Sequence, residues 1–166
     1  MLTELEGAVL SEVHHRGRQT AFQVRRSFAV SPSLEWRGSA GAVYPAIKRL
    51  EKQGFIDASE TVDKRATRLL SVTESGRRAM MEWACDATRA VSSGMDPFRI
   101  RAGIWFGLEA GERRALIGRL RTEIEANIAY LRGFSRNNDT IEKVSVDLAR
   151  RLQEARLAWL ADVEKL

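Results

Sequence analysis

Leu2, Leu5, Val9 and Val13 recur at intervals of three and four, the spacing of one helical face, and predict an amphipathic helix over residues 3–15. Gly17 stands where such a helix should end. Thr20 offers an N-cap for a second helix that turns Ala21, Val24 and Phe28 inward. Ser31-Pro32-Ser33 breaks that helix, and the segment through Gly38 reads as a loop. Ser39 then caps a third helix. Its inner face is Val43, Ile47 and Leu50, and its outer side offers Tyr44, Lys48, Arg49 and Lys52. Gly54 stops it, and Phe55-Ile56 and Leu69-Leu70-Ser71-Val72 read as short strands around a polar segment. Thr73 caps a fourth helix reaching about Ser92, with Glu74 favourably placed in its first turn. Helix, strand, basic turn, strand, helix is the order of a winged helix-turn-helix.

Ser92-Ser93-Gly94 and Asp96-Pro97 then punctuate the chain and place a domain boundary. A short helix from Phe98 to Phe106 precedes two long ones joined by a turn at Arg136-Asn137-Asn138-Asp139. Leu116, Leu120, Ile124, Ile128 and Leu131 stripe the first. Ile141, Val144, Leu148, Leu152, Ala155, Trp159, Val163 and Leu166 stripe the second. The expected fold is mainly α: a winged helix-turn-helix with a small two-stranded wing over residues 1–92, and an antiparallel helical domain over 93–166. Two helices cannot cover stripes of this length by themselves. A second copy is the simplest cover, which makes Leu148, Leu152, Trp159 and Val163 the expected dimerisation residues.

Composition narrows the classes. Of 166 residues 44% are hydrophobic and 30% charged, a globular balance long enough for a real core. The formal net charge is +5, which suits an anionic partner without proving one. The local pattern is more telling. Four arginines (Arg16, Arg18, Arg25, Arg26) and no acid lie between Val13 and Leu34. Five bases and one acid lie between Lys64 and Arg78. Lys64, Arg65 and Arg68 fall on the wing, where bases commonly meet phosphates or enter the minor groove; the plain alternative is a solvated loop. The single cysteine, Cys85, rules out an internal disulfide, and the acidic N-terminus does not read as a signal peptide. No apolar run approaches the roughly 20 residues of a membrane span. The expected compartment is the cytoplasm.

Gly41-Ala-Val-Tyr44-Pro45-Ala-Ile-Lys48-Arg49-Leu50-Glu51-Lys-Gln-Gly54-Phe55-Ile56, with Thr73-Glu74-Ser75-Gly76-Arg77 closing the wing, resembles the PadR family of bacterial transcriptional regulators. The resemblance covers residues 3 to about 92. Over the remainder, length and pattern are similar to the C-terminal dimerisation domain of the longer members. It departs from the family where Ala21-Phe22 stands in place of a Gly-Tyr pair, and where Leu70 holds a position that commonly carries tyrosine. The resemblance implies that Ser39, Gly41, Tyr44, Lys48 and Arg49 form the DNA-reading surface. It also implies a homodimer on a pseudo-palindromic operator, repression, and release by a small-molecule effector. A helix of this kind fits the major groove, where the sequence code is displayed. The ordinary alternative is a solvated helix face with a half-buried tyrosine.

Other candidate chemistry is weaker. His14-His15 point about 100° apart on a helix with no further ligand at metal spacing, so no metal or cofactor is expected. Cys85, beside Met81, Trp83 and Ala84, reads as packing rather than redox chemistry. Trp105 and Trp159 are candidates for an effector pocket, set against the commoner reading of aromatic core. No phosphate loop, nucleophile triad or isolated carboxylate pair is present, so an enzyme is not expected. The expected function is sequence-specific regulation of transcription on double-stranded DNA, with no membrane partner. The competing class is a winged-helix module that binds protein without specific DNA binding.

Overall fold

A computed structural model describes residues 1–31, 33–61, 67–92, 96–134 and 140–164. The chain divides into two compact units, Met1–Ser92 and Ser93–Leu166.

The first unit opens with α1 (Glu4–Arg16). Thr3 and Glu6 form a reciprocal capping box: Glu6 N–H donates to Thr3 Oγ1 at 3.2 Å, and Thr3 N–H donates to Glu6 Oε2 at 3.0 Å. β1 (Gln19–Thr20) leads into α2 (Ala21–Ala29), where Thr20 is the N-cap the sequence predicts and Gln23 completes a second box. α3 (Leu34–Ser39) follows where the sequence predicts a loop. Ser33 caps it by accepting from Trp36 N–H, and Trp36 packs edge-on against Phe28 with ring centroids 5.5 Å apart. That contact anchors a helix too short to show a periodic stripe. Ser39 is therefore not an N-cap. It ends α3, and its hydroxyl donates to the Glu35 carbonyl at 2.9 Å. A 3₁₀ turn (Ala40–Ala42) passes directly into α4 (Val43–Lys52), which has no side-chain cap. Pro45 is tolerated in its first turn, where a backbone donor is dispensable.

β2 (Ile56–Thr61) and β3 (Arg68–Val72) form the antiparallel wing, with a register shift between Asp57 and Glu60. β1 pairs with the other edge of β3, Gln19 opposite Leu70, so the sheet has three strands in the order β1-β3-β2. The sequence reading expects two. A two-residue strand is too short to alternate, and only its pairing reveals it. The segment after the wing is α5 (Glu74–Ala84) and α6 (Ala87–Ala90), not one helix to Ser92. Asp86 causes the break: its side chain accepts from Arg89 N–H at 3.0 Å and starts a new helix. Cys85 at that break is exposed, as is Met81, which corrects the packing expectation for the thiol. The core joins Val9, Leu10 and Val13 of α1, Val24 and Phe28 of α2, Val43, Ile47 and Leu50 of α4, Leu70 and Met80.

The turn from α4 into the wing is fixed by the residues that start α5. Gly54 takes a left-handed φ of 72°, and Phe55 N–H returns to the Leu50 carbonyl at 2.9 Å. Thr73 Oγ1 and Ser75 Oγ both donate to the Gly54 carbonyl, at 2.7 and 2.8 Å, and Thr73 N–H donates to the Phe55 carbonyl. Gly76 lies against the same turn: a Cβ there would stand 2.0 Å from the Phe55 carbonyl oxygen.

In the second unit, Asp96 caps α7 (Pro97–Trp105) with proline at its first position. α8 (Ala110–Gly133) and α9 (Thr140–Val163) run antiparallel, since Arg121 pairs with Glu164 and Arg132 with Glu154. Ile117, Ile124, Ile128 and Leu160 form their core. Ile117, rather than the expected Leu116, is the buried residue of the first turns of α8.

Gly76→Ala should destabilise the first unit by about 2–3 kcal/mol, because backbone cannot yield to the new methyl as a side chain could. Thermal denaturation of the full chain checks this. Gly118→Ala, where a Cβ meets nothing within 4 Å, should leave the midpoint unchanged or raise it.

Candidate nucleic-acid interface

The buried side chains of α4 are Val43, Ala46, Ile47 and Leu50. At 100° per residue, the direction opposite their mean passes between Lys48 and Lys52, close to Gly41. Tyr44 and Arg49 stand on the two flanks of that strip. Lys48, Lys52 and Gly41 are exposed, and Tyr44 is 40% exposed. No acidic side chain lies on this outward strip. Lys52 lies on this strip as well, four residues after Lys48.

The flanks of α4 are held by two ion pairs. Arg49 Nε donates to Glu6 Oε1 of α1 at 2.7 Å. The Glu6 side chain is only 5% exposed, while half of the Arg49 side chain remains open to solvent. On the other flank Glu51 pairs with Arg68 of β3 at 3.0 Å, and Arg68 Nε donates to the Ala58 carbonyl. Two of the predicted DNA-binding arginines are thus tied to carboxylates in the free protein. Ser39 spends its hydroxyl inside α3. Lys64 and Arg65 lie outside the described residues. Gly41 has a different standing: a Cβ there would meet nothing within 4 Å, and its φ is not left-handed. Packing within the chain does not require that glycine.

Burial pushes the Glu6 carboxyl up, but hydrogen bonds from Thr3 and Arg49 outweigh it and hold the pKa below the ordinary glutamate value. Arg16, at the far end of α1, pairs with Glu12 at 2.8 Å. Arg26 of α2 is exposed.

The second unit gathers the two expected effector tryptophans into one aromatic cluster. Phe98 meets Trp105 at 4.9 Å and Trp159 at 5.5 Å between ring centroids, and Phe106 meets Trp159 at 6.2 Å. The Arg156 guanidinium lies 5.4 Å over the Phe98 ring and is held by Asp96 at 2.7 Å. Of the expected dimerisation residues, Leu148 and Leu152 are 60% and 54% exposed, Trp159 is 37% exposed and Val163 is partly covered. Among the described residues no group of three His, Cys, Asp or Glu side chains could hold a metal ion. Among them, too, no helix is long and apolar enough to cross a membrane.

Residues 10–82 match the model of the transcriptional regulator PadR-like family. No curated protein matches the sequence. Among solved structures, the chain is similar to Bacillus subtilis PadR in complex with operator DNA, with a TM-score of 0.75, 18% identity, and 99% and 98% of the two chains covered. The same protein in complex with p-coumaric acid gives a TM-score of 0.70 at 16% identity over 99% and 97% of the chains. The PadR-like regulator BC1756 from Bacillus cereus gives 0.68 at 18% identity over 99% and 96%. At these identities the likeness establishes the fold, a PadR-like winged helix followed by a helical region.

The lowered pKa of Glu6 predicts a specific acid response. Its contribution is whole above the ordinary glutamate value of 4.5 and is lost as pH falls through the lower folded value. The gap in melting temperature between wild type and Glu6→Gln should therefore narrow steadily below pH 4.5. A gap that stays constant to the acid limit would refute the charged pair.

Proposed function

We propose that this chain, whose residues 10–82 match the model of the PadR-like family of transcriptional regulators, is itself such a regulator: it binds duplex DNA in a sequence-specific manner as a homodimer and represses transcription. The observation that carries the proposal is the outward strip of α4. Lys48 and Lys52 offer their ammonium groups there without a competing acid, next to a glycine that the fold itself does not need. An open Cβ position at Gly41 suits close approach of the helix start to the DNA backbone. Tyr44 adds a phenolic donor on one flank. Arg49 and Arg68 frame the helix between α1 and the wing, and their free guanidinium edges add positive potential without floating charge. Lys64 and Arg65 extend the same charge along the wing sequence.

The C-terminal unit serves as the dimerisation domain in this reading. The exposed stripe Ile141, Val144, Leu148 and Leu152 is the kind of surface that a second copy covers. A two-fold axis then presents two α4 helices to a pseudo-palindrome, with half-sites about one helical turn apart. The cluster around Trp105 and Trp159 is the proposed effector site. Its flat rings suit a planar aromatic ligand. The complex of Bacillus subtilis PadR with p-coumaric acid supports a ligand of that class.

Anisotropy titration against DNA from upstream of the protein's own gene, with a scrambled duplex as control, should show a preference of at least ~10³-fold. Lys48→Gln should weaken binding to both duplexes and reduce the slope of log K against log salt by about 0.9 per lost phosphate contact. Equal binding to both duplexes, with no motif recovered by selection from random DNA, would return the chain to the protein-binding class. Leu148→Asp combined with Leu152→Asp should convert a dimer to a monomer by sedimentation and lower operator affinity, with helix content by circular dichroism unchanged. A variant that remains dimeric would place the interface elsewhere.

A further inference from the structure

A single run of hydrogen bonds joins the end of the first unit to the flank of α4. It begins at Arg89 in α6, the last described helix before the chain leaves the unit. Arg89 Nη1 donates to the Leu2 carbonyl at 3.2 Å, and Nη2 donates to Glu4 Oε1 at 2.8 Å. The guanidinium therefore grips the residues on either side of Thr3. Thr3 N–H in turn donates to Glu6 Oε2, and Glu6 Oε1 accepts from Arg49 Nε. Each oxygen of the buried Glu6 carboxylate is committed, one to the start of α1 and one to α4. A shift at Thr3 must turn the carboxylate, and a turned carboxylate cannot keep both partners.

We propose that Glu6 and Arg89 are positioning residues for α4: Arg89 fixes the start of α1, the capping box fixes Glu6, and Glu6 fixes the rotation of α4 through Arg49. The C-terminal helix of the first unit, α6, is thereby coupled to the setting of Lys48, Lys52 and Tyr44. Arg49 acts in this scheme as a link rather than as a phosphate contact. The consequence for DNA rests on the function proposed above, whereas the coupling is a property of the free protein.

Two measurements on the full chain decide it. The first uses no DNA and follows exchange of the Arg49 Nε–H with water by ¹⁵N NMR, assigned by the signal lost in Arg49→Lys. A charge-assisted bond to Glu6 should slow that exchange about tenfold relative to an open arginine. Glu6→Gln should abolish the protection. Arg89→Gln and Glu4→Gln, both mild changes at partly or largely exposed side chains, should reduce it although neither residue touches Arg49. Protection unchanged in Arg89→Gln overturns the relay. The second measures the ratio of operator to scrambled-DNA affinity well below the melting temperature. Glu6→Gln and Arg89→Gln should each lower the ratio between about two- and thirtyfold. The double variant should lose no more than the stronger single, with the salt slope unchanged. Losses that add, or a lowered melting temperature with an unchanged ratio, overturn the proposal. A wild type that shows no operator preference fails the DNA reading instead, and the exchange measurement then decides the relay alone.

Discussion

The first unit depends on one junction, the turn at Gly54-Phe55 where α4 becomes the wing. Two hydroxyls, Thr73 Oγ1 and Ser75 Oγ, converge on the Gly54 carbonyl, and Gly76 lets α5 lie directly on the Phe55 backbone. The end of α4, the root of β2 and the start of α5 are thereby one rigid object. Thr73 serves both sides, because it also caps α5 by accepting from Gly76 N–H at 3.0 Å. The attachment of β2 to α4 is therefore ordered in the folded unit, and its entropy cost is met in folding.

Around this junction the charges sort into two kinds. Arg49 and Arg68 are paired inside the unit on the flanks of α4; Lys48 and Lys52 stand exposed on its outward strip. Compared with an apolar contact of the same size, the Glu6–Arg49 pair adds little net stability, since part of its attraction only offsets the cost of burying the carboxylate. Losing Arg49 is a different matter, because the buried Glu6 carboxylate is then left without its charged partner. Such a pair selects one orientation against neighbours that a purely apolar contact between α1 and α4 would tolerate. That selectivity is what a helix needs if it is to present lysines and a tyrosine in fixed register to a groove.

Much of this is legible in the sequence. Thr20 and Thr73 read as N-caps from the sequence, and Gly54 sits between a helical and a strand pattern. Each of these is a local signal, and each sits where the structure puts it. What escaped the sequence is non-local. α3 is held by the contact of Trp36 with Phe28, β1 by pairing with β3, and the break at Asp86 by one side chain competing for backbone. The same holds for the site. The outward lysines follow from helical spacing, but nothing in the order of residues says that Glu6 reaches Arg49 across 43 positions. A glutamate in the first turn of a helix is ordinarily read as a cap, and Glu6 is one. Its second oxygen carries the information that spacing cannot.

The second unit poses a problem of area rather than charge. α9 has two apolar faces. Leu157 and Leu160 turn toward α8, while Ile141, Val144, Leu148 and Leu152 face outward. Burying each outward side chain would contribute roughly 1.5–3 kcal/mol. A solvent-exposed stripe at spacings of three and four has the periodicity of a helix–helix contact, and a helix surface of this kind is costly to keep in water. Symmetry makes a second copy an economical partner, because one stripe covers its equivalent across a two-fold axis and every contact is made twice. One such stripe is therefore self-sufficient as a contact surface: a two-fold axis along it would remove the outward side chains of both copies from water at once.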